Sequence, residues 1–241
     1  RQYDREVGAG TLLDGTRAAA ALVRIPDTHR AVAMALCCVG RWCDRDPREG
    51  ARRAVIEGVM RTSAVGALPI GATDCLNYGN PRIPEVMWSF VEGVEGIREA
   101  CLALDVPVVS GNVSLYNQTD DRAVYPTPAL GVVGLIEDFR PLFEHGGAAV
   151  PGPATGDPVV LLGWPAHSVK GSLIAADAPH GPEPLPLPQV KQACDLVRAL
   201  RLDGALREAQ PVLEGGMLGA LLEIAHRANN GLFVSIARQP G

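Results

Sequence analysis

From Pro84 onward, apolar side chains recur at Met87, Phe90, Val94, Ile97, Cys101 and Leu104. Steps of three and four residues place them on one face of an α-helix and on no single face of a strand. This segment therefore commits the chain to one long amphipathic helix. Pro84 suits a first helical turn, where a missing N–H costs nothing, and Glu85 complements the positive end of the helix dipole. Two short apolar runs flank the helix and read as strands. Pro69 to Asp74 leads into the polar loop Asp74 to Pro81, and Pro107 to Ser110 leads into Gly111-Asn112-Val113-Ser114.

The remaining segments follow the same alternation. Ala31 to Leu36 reads as a buried strand and Arg41 to Pro47 as a polar loop. From about Glu49 to Ala67, small or apolar residues at Ala51, Ala54, Val55, Gly58, Val59, Thr62 and Val65 keep helical spacing. So small a face predicts close packing against a sheet. Ala129 to Ile136 is a further apolar run. Residues 1–30 are turn-rich, broken by Gly8, Gly10, Gly15 and Pro26. Residues 140–157, rich in glycine and proline, read as a linker. Beyond it the sequence predicts a strand over Pro158 to Gly163 and a Pro-rich loop from Ala178 to Pro188. Helices follow over Gln189 to Leu202 and Gly215 to Ala228, with a last strand over Gly231 to Ala237. Strands and helices alternate with irregular crossovers and no repeat, which predicts an α+β (mixed α/β) class.

Composition excludes several functions. With 22 Lys+Arg against 27 Asp+Glu, the net charge is −5. No Lys/Arg block stands out, so the chain is a poor nucleic-acid binder. No run of about 18 uninterrupted apolar residues exists, so no membrane partner is expected. No basic-then-apolar leader is visible, and the expected location is the cytoplasm. Six cysteines include one cluster, Cys37, Cys38 and Cys43. It lacks paired metal-ligand spacing and a nearby histidine, so small buried thiols are the expectation. The first residue is Arg1 and the last residues are Arg238-Gln239-Pro240-Gly241, which predicts a piece of a longer chain.

Chemistry is expected in the two loops that follow strands, Thr73 to Pro81 and Ser110 to Asn117. Glycine removes the Cβ there and leaves backbone N–H groups accessible to a ligand. Asp74 could hold a hydroxyl, an amino group or a metal. Asn112 and Ser114 offer neutral oxygens suited to Mg²⁺ or phosphate. The plainer reading is Asx-turns, which loop Asp and Asn residues commonly form. No Lys follows the glycines, so this is not a Walker A loop.

Longer blocks add a resemblance. Gly71-Ala72-Thr73-Asp74-Cys75-Leu76-Asn77-Tyr78-Gly79-Asn80-Pro81, then Pro84-Glu85-Val86-Met87-Trp88, then Pro107 to Asn117, then Tyr125-Pro126-Thr127-Pro128 closely resemble the phosphoribosylformylglycinamidine synthase family. Arg1-Gln2-Tyr3-Asp4 and Asp46-Pro47…Gly50-Ala51 are similar too. The likeness runs nearly end to end and is densest over 60–137. The resemblance implies the second half of a tandem large synthetase subunit with an aminoimidazole-ribonucleotide-synthase-like fold. Residues 1–140 would be its N-terminal domain with a mixed sheet, 141–157 a linker, and 158–241 a partial C-terminal domain.

The family consumes ATP, glutamine-derived ammonia and formylglycinamide ribonucleotide, and forms the amidine, ADP, phosphate and glutamate. Carried over residue by residue, its ATP contacts fall on Asp74 and Gly111, its Mg²⁺ ligand on Asn112, and its substrate contact on Ser114. ATP and Mg²⁺ are thus the implied cofactors. The family's catalytic histidine and further acidic ligands lie in the first half. No catalytic residue is therefore assigned here, and His29, His145, His167, His180 and His226 read as solvated or core residues. The implied partners are that first half, a glutaminase and small accessory subunits, and the isolated chain is expected to be inactive.

Several departures stand out. Ala19-Ala20-Ala21-Leu22 replaces the family's Asp-Ala-Ala-Val, Cys37-Cys38-Val39 replaces Asp-Gly-Asn, and Gly171-Ser172-Leu173 replaces Gly-Ser-Glu. Gln210-Pro211-Val212-Leu213-Glu214-Gly215-Gly216 replaces His-Asp-Val-Ser-Asp-Gly-Gly. The lost acidic groups leave two alternatives open: a degenerate structural half without turnover, or a diverged paralogue that activates another amide with ATP.

Overall fold

The computed structural model describes residue 6 and residues 8–143, 156–163 and 181–228. A six-stranded sheet is built from β1 (Thr11–Leu13), β2 (Ala21–Arg24), β3 (Ala31–Cys37), β4 (Leu68–Asn77), β5 (Val108–Ser114) and β8 (Thr127–Ile136). Its order is β1-β2-β3-β8-β4-β5, and the short hairpin β6 (Gln118–Thr119) and β7 (Arg122–Ala123) stands apart. Among the described residues only β4 and β5 run parallel, and every other pairing in the sheet is antiparallel. The fold is therefore α+β with a mixed sheet. A parallel pair needs a long crossover, and helix α3 (Pro84–Leu104) supplies it.

Helix α2 (Pro47–Ala64) starts where local chemistry tells it to. The Asp46 carboxylate accepts the backbone N–H of Glu49 at 2.9 Å, and Pro47 occupies the first turn. The small face expected from the sequence is present and serves two contacts. Gly58 lies against Val132 of β8, with no room for a Cβ. On the other side, a Cβ at Gly96 of α3 would collide with the backbone carbonyl of Arg48. The core joins Ala51, Val55, Ile56 and Val59 of α2 to Ile97, Ala100 and Leu104 of α3, over Leu76, Leu130 and Val132 of the sheet. A second cluster around Leu22, Ala33, Ala35, Val65 and Ile136 fills the other end. The outward positions of the sheet leave Met34, Leu36, Leu68 and Ile70 exposed.

Several expectations need correction. Arg41 to Pro47 is not a loop: Gly40–Arg45 forms helix α1, with Trp42 and Cys43 buried. Six residues are too short to show a helical period. The guanidinium groups of Arg41 and Arg53 lie 5.9 and 5.8 Å from the Trp42 ring. Strands β1 and β2 emerge from the turn-rich start because β3 pairs with β2, and β2 with β1, which stabilises segments too short to show alternation alone. The strand expected over Pro158 to Gly163 is absent, the segment being described without regular secondary structure and with Val160 exposed. Helices α4 (Leu187–Leu202) and α5 (Gly216–Ala228) match their expected spans closely. Val190 and Cys194 of α4 share the core of α2 and α3. The strand expected over Gly231 to Ala237 and most of the 140–157 linker lie outside the described residues.

Candidate functional site

The two expected loops are for the most part strand: Thr73 to Asn77 belong to β4 and Ser110 to Ser114 to β5, because the two segments pair with each other, so the four candidates stand on the parallel pair itself. In register, Asp74 stands opposite Gly111, Cys75 opposite Asn112, and Asn77 opposite Ser114. Successive strand residues point to opposite faces, so the four predicted residues divide into two pairs. Asp74 and Gly111 share the face that also carries buried Leu130, opposite Asp74 on β8. Asn112 and Ser114 sit on the other face. Among the described residues β5 is the sheet edge, and Ser110, Gly111 and Asn112 are exposed along it.

Gly111 is required by the close approach of Asp74. A Cβ there would lie 2.6 Å from the carboxyl carbon and 2.8 Å from Oδ2, and closer still to Oδ1. Partial burial raises the Asp74 carboxyl above its ordinary range, and the hydrogen bond donated by the Asn112 backbone N–H offsets part of that. Cys101 of α3 is pushed up to about 11, first by burial and then by the Asp74 charge, which places that carboxylate close to the helix. Asp74 therefore makes no Asx-turn; it stands beside a bare strand edge. Asn80 does behave as the plainer reading expects, its Oδ1 accepting the Arg82 N–H at 2.9 Å.

The Asn112 amide makes no side-chain hydrogen bond among the described residues, so its oxygen is open to a ligand. Two neighbouring asparagines are fully engaged. Asn77 Nδ2 donates to the Thr127 carbonyl at 3.0 Å and to the Cys75 carbonyl at 2.9 Å. Asn117 Nδ2 donates to the carbonyls of Ser114 and Tyr78 at 2.8 and 3.2 Å. The sequence places both asparagines in the candidate loops but does not distinguish braces from ligands. The usable signal is position, since each stands where two chain segments must be tied.

Among the described residues, no group of three or more His, Cys, Asp or Glu side chains could hold a metal ion. His29 packs edge-on against Phe139, and His226 lies on α5; the other three histidines are outside the described residues. Cys37 and Cys43 are buried free thiols and Cys38 is half-buried, as expected of packing residues. No described helix is long and apolar enough to cross a membrane.

Comparison with known proteins gives concordant findings. Residues 17–136 match the family model described as "AIR synthase related protein, N-terminal domain". The phosphoribosylformylglycinamidine synthase subunit PurL of Zymomonas mobilis is 41% identical over 243 residues, covering 97% of this chain and 32% of that protein. The chain thus spans about a third of the length of the curated relatives it matches. The solved structure of T. maritima PurL complexed with ATP is 30% identical with a TM-score of 0.52, over 59% of this chain and 23% of that one. T. maritima PurL complexed with FGAR reaches a TM-score of 0.58 at 24% identity, over 83% of this chain and 29% of that one, a likeness of fold.

Proposed function

The chain belongs to the AIR synthase related family, with phosphoribosylformylglycinamidine synthase subunits among its relatives, and on that premise we propose that it forms part of the ATP and substrate site of an ATP-dependent carbon–nitrogen ligase. The reaction would convert formylglycinamide ribonucleotide to the amidine with glutamine-derived ammonia, in the cytoplasm. The supporting observation is the Asp74–Gly111 pair at an open strand edge. Side-chain bulk is absent where a carboxylate comes closest to the backbone, and that arrangement leaves main-chain groups available to a nucleotide.

In this reading Asp74 accepts a hydrogen bond from a hydroxyl or amino group of ATP, and Gly111 lets the nucleotide approach the main chain. Ser114 donates to the substrate. Asn112 supplies a neutral oxygen to Mg²⁺, which Mg²⁺ accepts as one of several oxygen ligands. Among the described residues no group of three or more His, Cys, Asp or Glu side chains stands ready to complete that coordination. The remaining ligands therefore come from the nucleotide phosphates and from elsewhere in the assembly. Mg²⁺ supplies neutralisation of phosphate charge when bound. The first half of the synthetase, a glutaminase and small accessory subunits complete the assembly, and residues 1–140, 141–157 and 158–241 are its N-terminal domain, linker and partial C-terminal domain.

The test is calorimetry of Mg²⁺·ATP on the complete enzyme. Asn112→Ala weakens binding if the reading is right, and unchanged affinity refutes the assignment. The 241-residue chain alone is expected to form no amidine from ATP, ammonium and formylglycinamide ribonucleotide; robust turnover would refute its dependence on a partner half. One observation favours the alternative of a structural half. Glu214, in the altered block near α5, gives its carboxylate to Arg41 of α1 at 2.7 Å. That acidic group is engaged in an ion pair between segments rather than held open for a ligand.

A further inference from the structure

Asn117 does more than close a turn. Its Nδ2 donates to the Ser114 hydroxyl oxygen at 3.1 Å, and the same nitrogen reaches the Ser114 carbonyl at 2.8 Å and the Tyr78 carbonyl at 3.2 Å. The backbone repeats the tie: the N–H of Asn117 donates to Tyr78 O at 3.1 Å, and the N–H of Tyr78 donates to Ser114 O at 2.9 Å. Tyr116, between them, has φ +62° with its N–H on the Gly79 carbonyl at 2.9 Å. A non-glycine residue in the left-handed region costs energy and persists only where its surroundings over-determine it. Here that conformation turns the chain back, so that the Asn117 side chain reaches under Ser114.

We propose that Asn117 is the positioning residue that makes Ser114 a hydrogen-bond donor. A hydroxyl has one hydrogen and two lone pairs. Nδ2 has two hydrogens for its three acceptors, so the one aimed at Ser114 is shared between that residue's carbonyl and its hydroxyl oxygen. With one hydroxyl lone pair so occupied, the hydroxyl hydrogen turns toward the open face of β5, where an anionic oxygen of the substrate can accept it. The competing inward bond, from the hydroxyl to Asn117 Oδ1, is longer at 3.3 Å. The released hydrogen therefore favours an acceptor, a phosphate or carbonyl oxygen, as the ligand group, while one lone pair of the hydroxyl stays open as well. The inference rests on the reading of Ser114 as a substrate contact, and it deepens that reading.

Asn117→Asp reverses the polarity at nearly constant shape. The carboxylate can only accept, so the Ser114 hydrogen turns inward and the donor is lost. The experiment is a double-mutant cycle in the complete synthetase, with ammonium as nitrogen source and KM for formylglycinamide ribonucleotide as readout. Ser114→Ala and Asn117→Asp each raise KM by about tenfold or more, the usual cost of one hydrogen bond to a charged group. The double variant is no worse than the poorer single one, because both remove the same donor. Multiplied effects, or a kcat loss without a KM change, mean a merely structural role and overturn the proposal. A normal KM in Ser114→Ala overturns instead the underlying reading of Ser114. Crystal structures of the wild type and Asn117→Asp give an answer independent of activity. The Ser114 side chain changes rotamer, or its oxygen moves into short contact with the new carboxylate; an unchanged side chain with no such contact refutes the mechanism.

Discussion

Gly96→Ala is the sharpest test of the helix layer that holds the candidate site in place. Inside a helix, alanine is favoured over glycine by about 1 kcal/mol, so a propensity argument alone predicts stabilisation. The structure predicts the reverse. The new Cβ would lie 2.9 Å from the Arg48 carbonyl carbon and 3.2 Å from its Cα, with the carbonyl oxygen nearer still. These are backbone atoms in the first turn of α2, fixed by the Asp46 cap, and they cannot rotate aside as a side-chain end would. Relief requires α2 and α3 to separate, which thins the contact around Ala51, Ile97 and Ala100. Overpacking costs up to about 3 kcal/mol. After subtracting the propensity gain, the net loss reaches about 2 kcal/mol at the upper end of that range. For a chain of this size that upper end corresponds to a fall in Tm of about 4–8 °C. The control is Gly219→Ala on α5, where nothing lies within 4 Å of the new Cβ, and where stability rises by up to about 1 kcal/mol. Urea or thermal unfolding followed by circular dichroism measures both. A Gly96→Ala protein as stable as the wild type would refute the close helix contact.

Three further expectations come from the same geometry. Gly111→Ala leaves the fold intact, because the obstructing atoms belong to the movable Asp74 side chain, but it displaces that carboxylate; ATP titration should show weakened binding at an unchanged Tm, and full affinity would remove Asp74 from the nucleotide site. Tyr78→Phe is neutral or stabilising by about 1 kcal/mol, since the buried Tyr78 hydroxyl has no hydrogen-bond partner among the described residues; a large loss of stability would reveal a partner. Asp74→Asn bears on pH. Burial raises the folded Asp74 carboxyl above its unfolded value, so its contribution to stability is complete below the carboxylate range and is lost as pH rises through the folded value. The asparagine variant should gain in Tm relative to the wild type at neutral pH, and that gain should vanish in acid. A variant less stable than the wild type at neutral pH would contradict the cause assigned to the shift.

The sequence made the long elements legible, because α2, α3, α4 and α5 carry enough turns for a three-and-four step to repeat. α1 and the strands β1 and β2 escaped for a physical reason. They are too short to show a period, and their stability comes from Trp42 packing under two arginines and from pairing with a neighbour. At the site, residue types marked Asp74, Asn112 and Ser114, and the family resemblance added Gly111 and the roles of all four. Register alone showed that they occupy two faces, since a period of two is visible only once the strand is anchored. Asn117 lies in the same quoted block as Ser114, but its role depends on a hydrogen bond across a reversed chain, which no linear spacing encodes.

The central pairing of β3 with β8 has a consequence for synthesis. Ala31 to Cys37 must find partners from Ile136 back to Leu130, about a hundred residues downstream. At 5–20 residues per second, β3 waits on the order of 5–20 s for its neighbour to leave the ribosome. The β4–α3–β5 unit is complete before that moment. The candidate nucleotide edge therefore forms first as a local structure, and the arrival of β8 between β3 and β4 joins it to the rest of the sheet. Pulse-labelling of nascent chains should find β4–β5 protected before β3, and slow codons placed after residue 114 should favour folding.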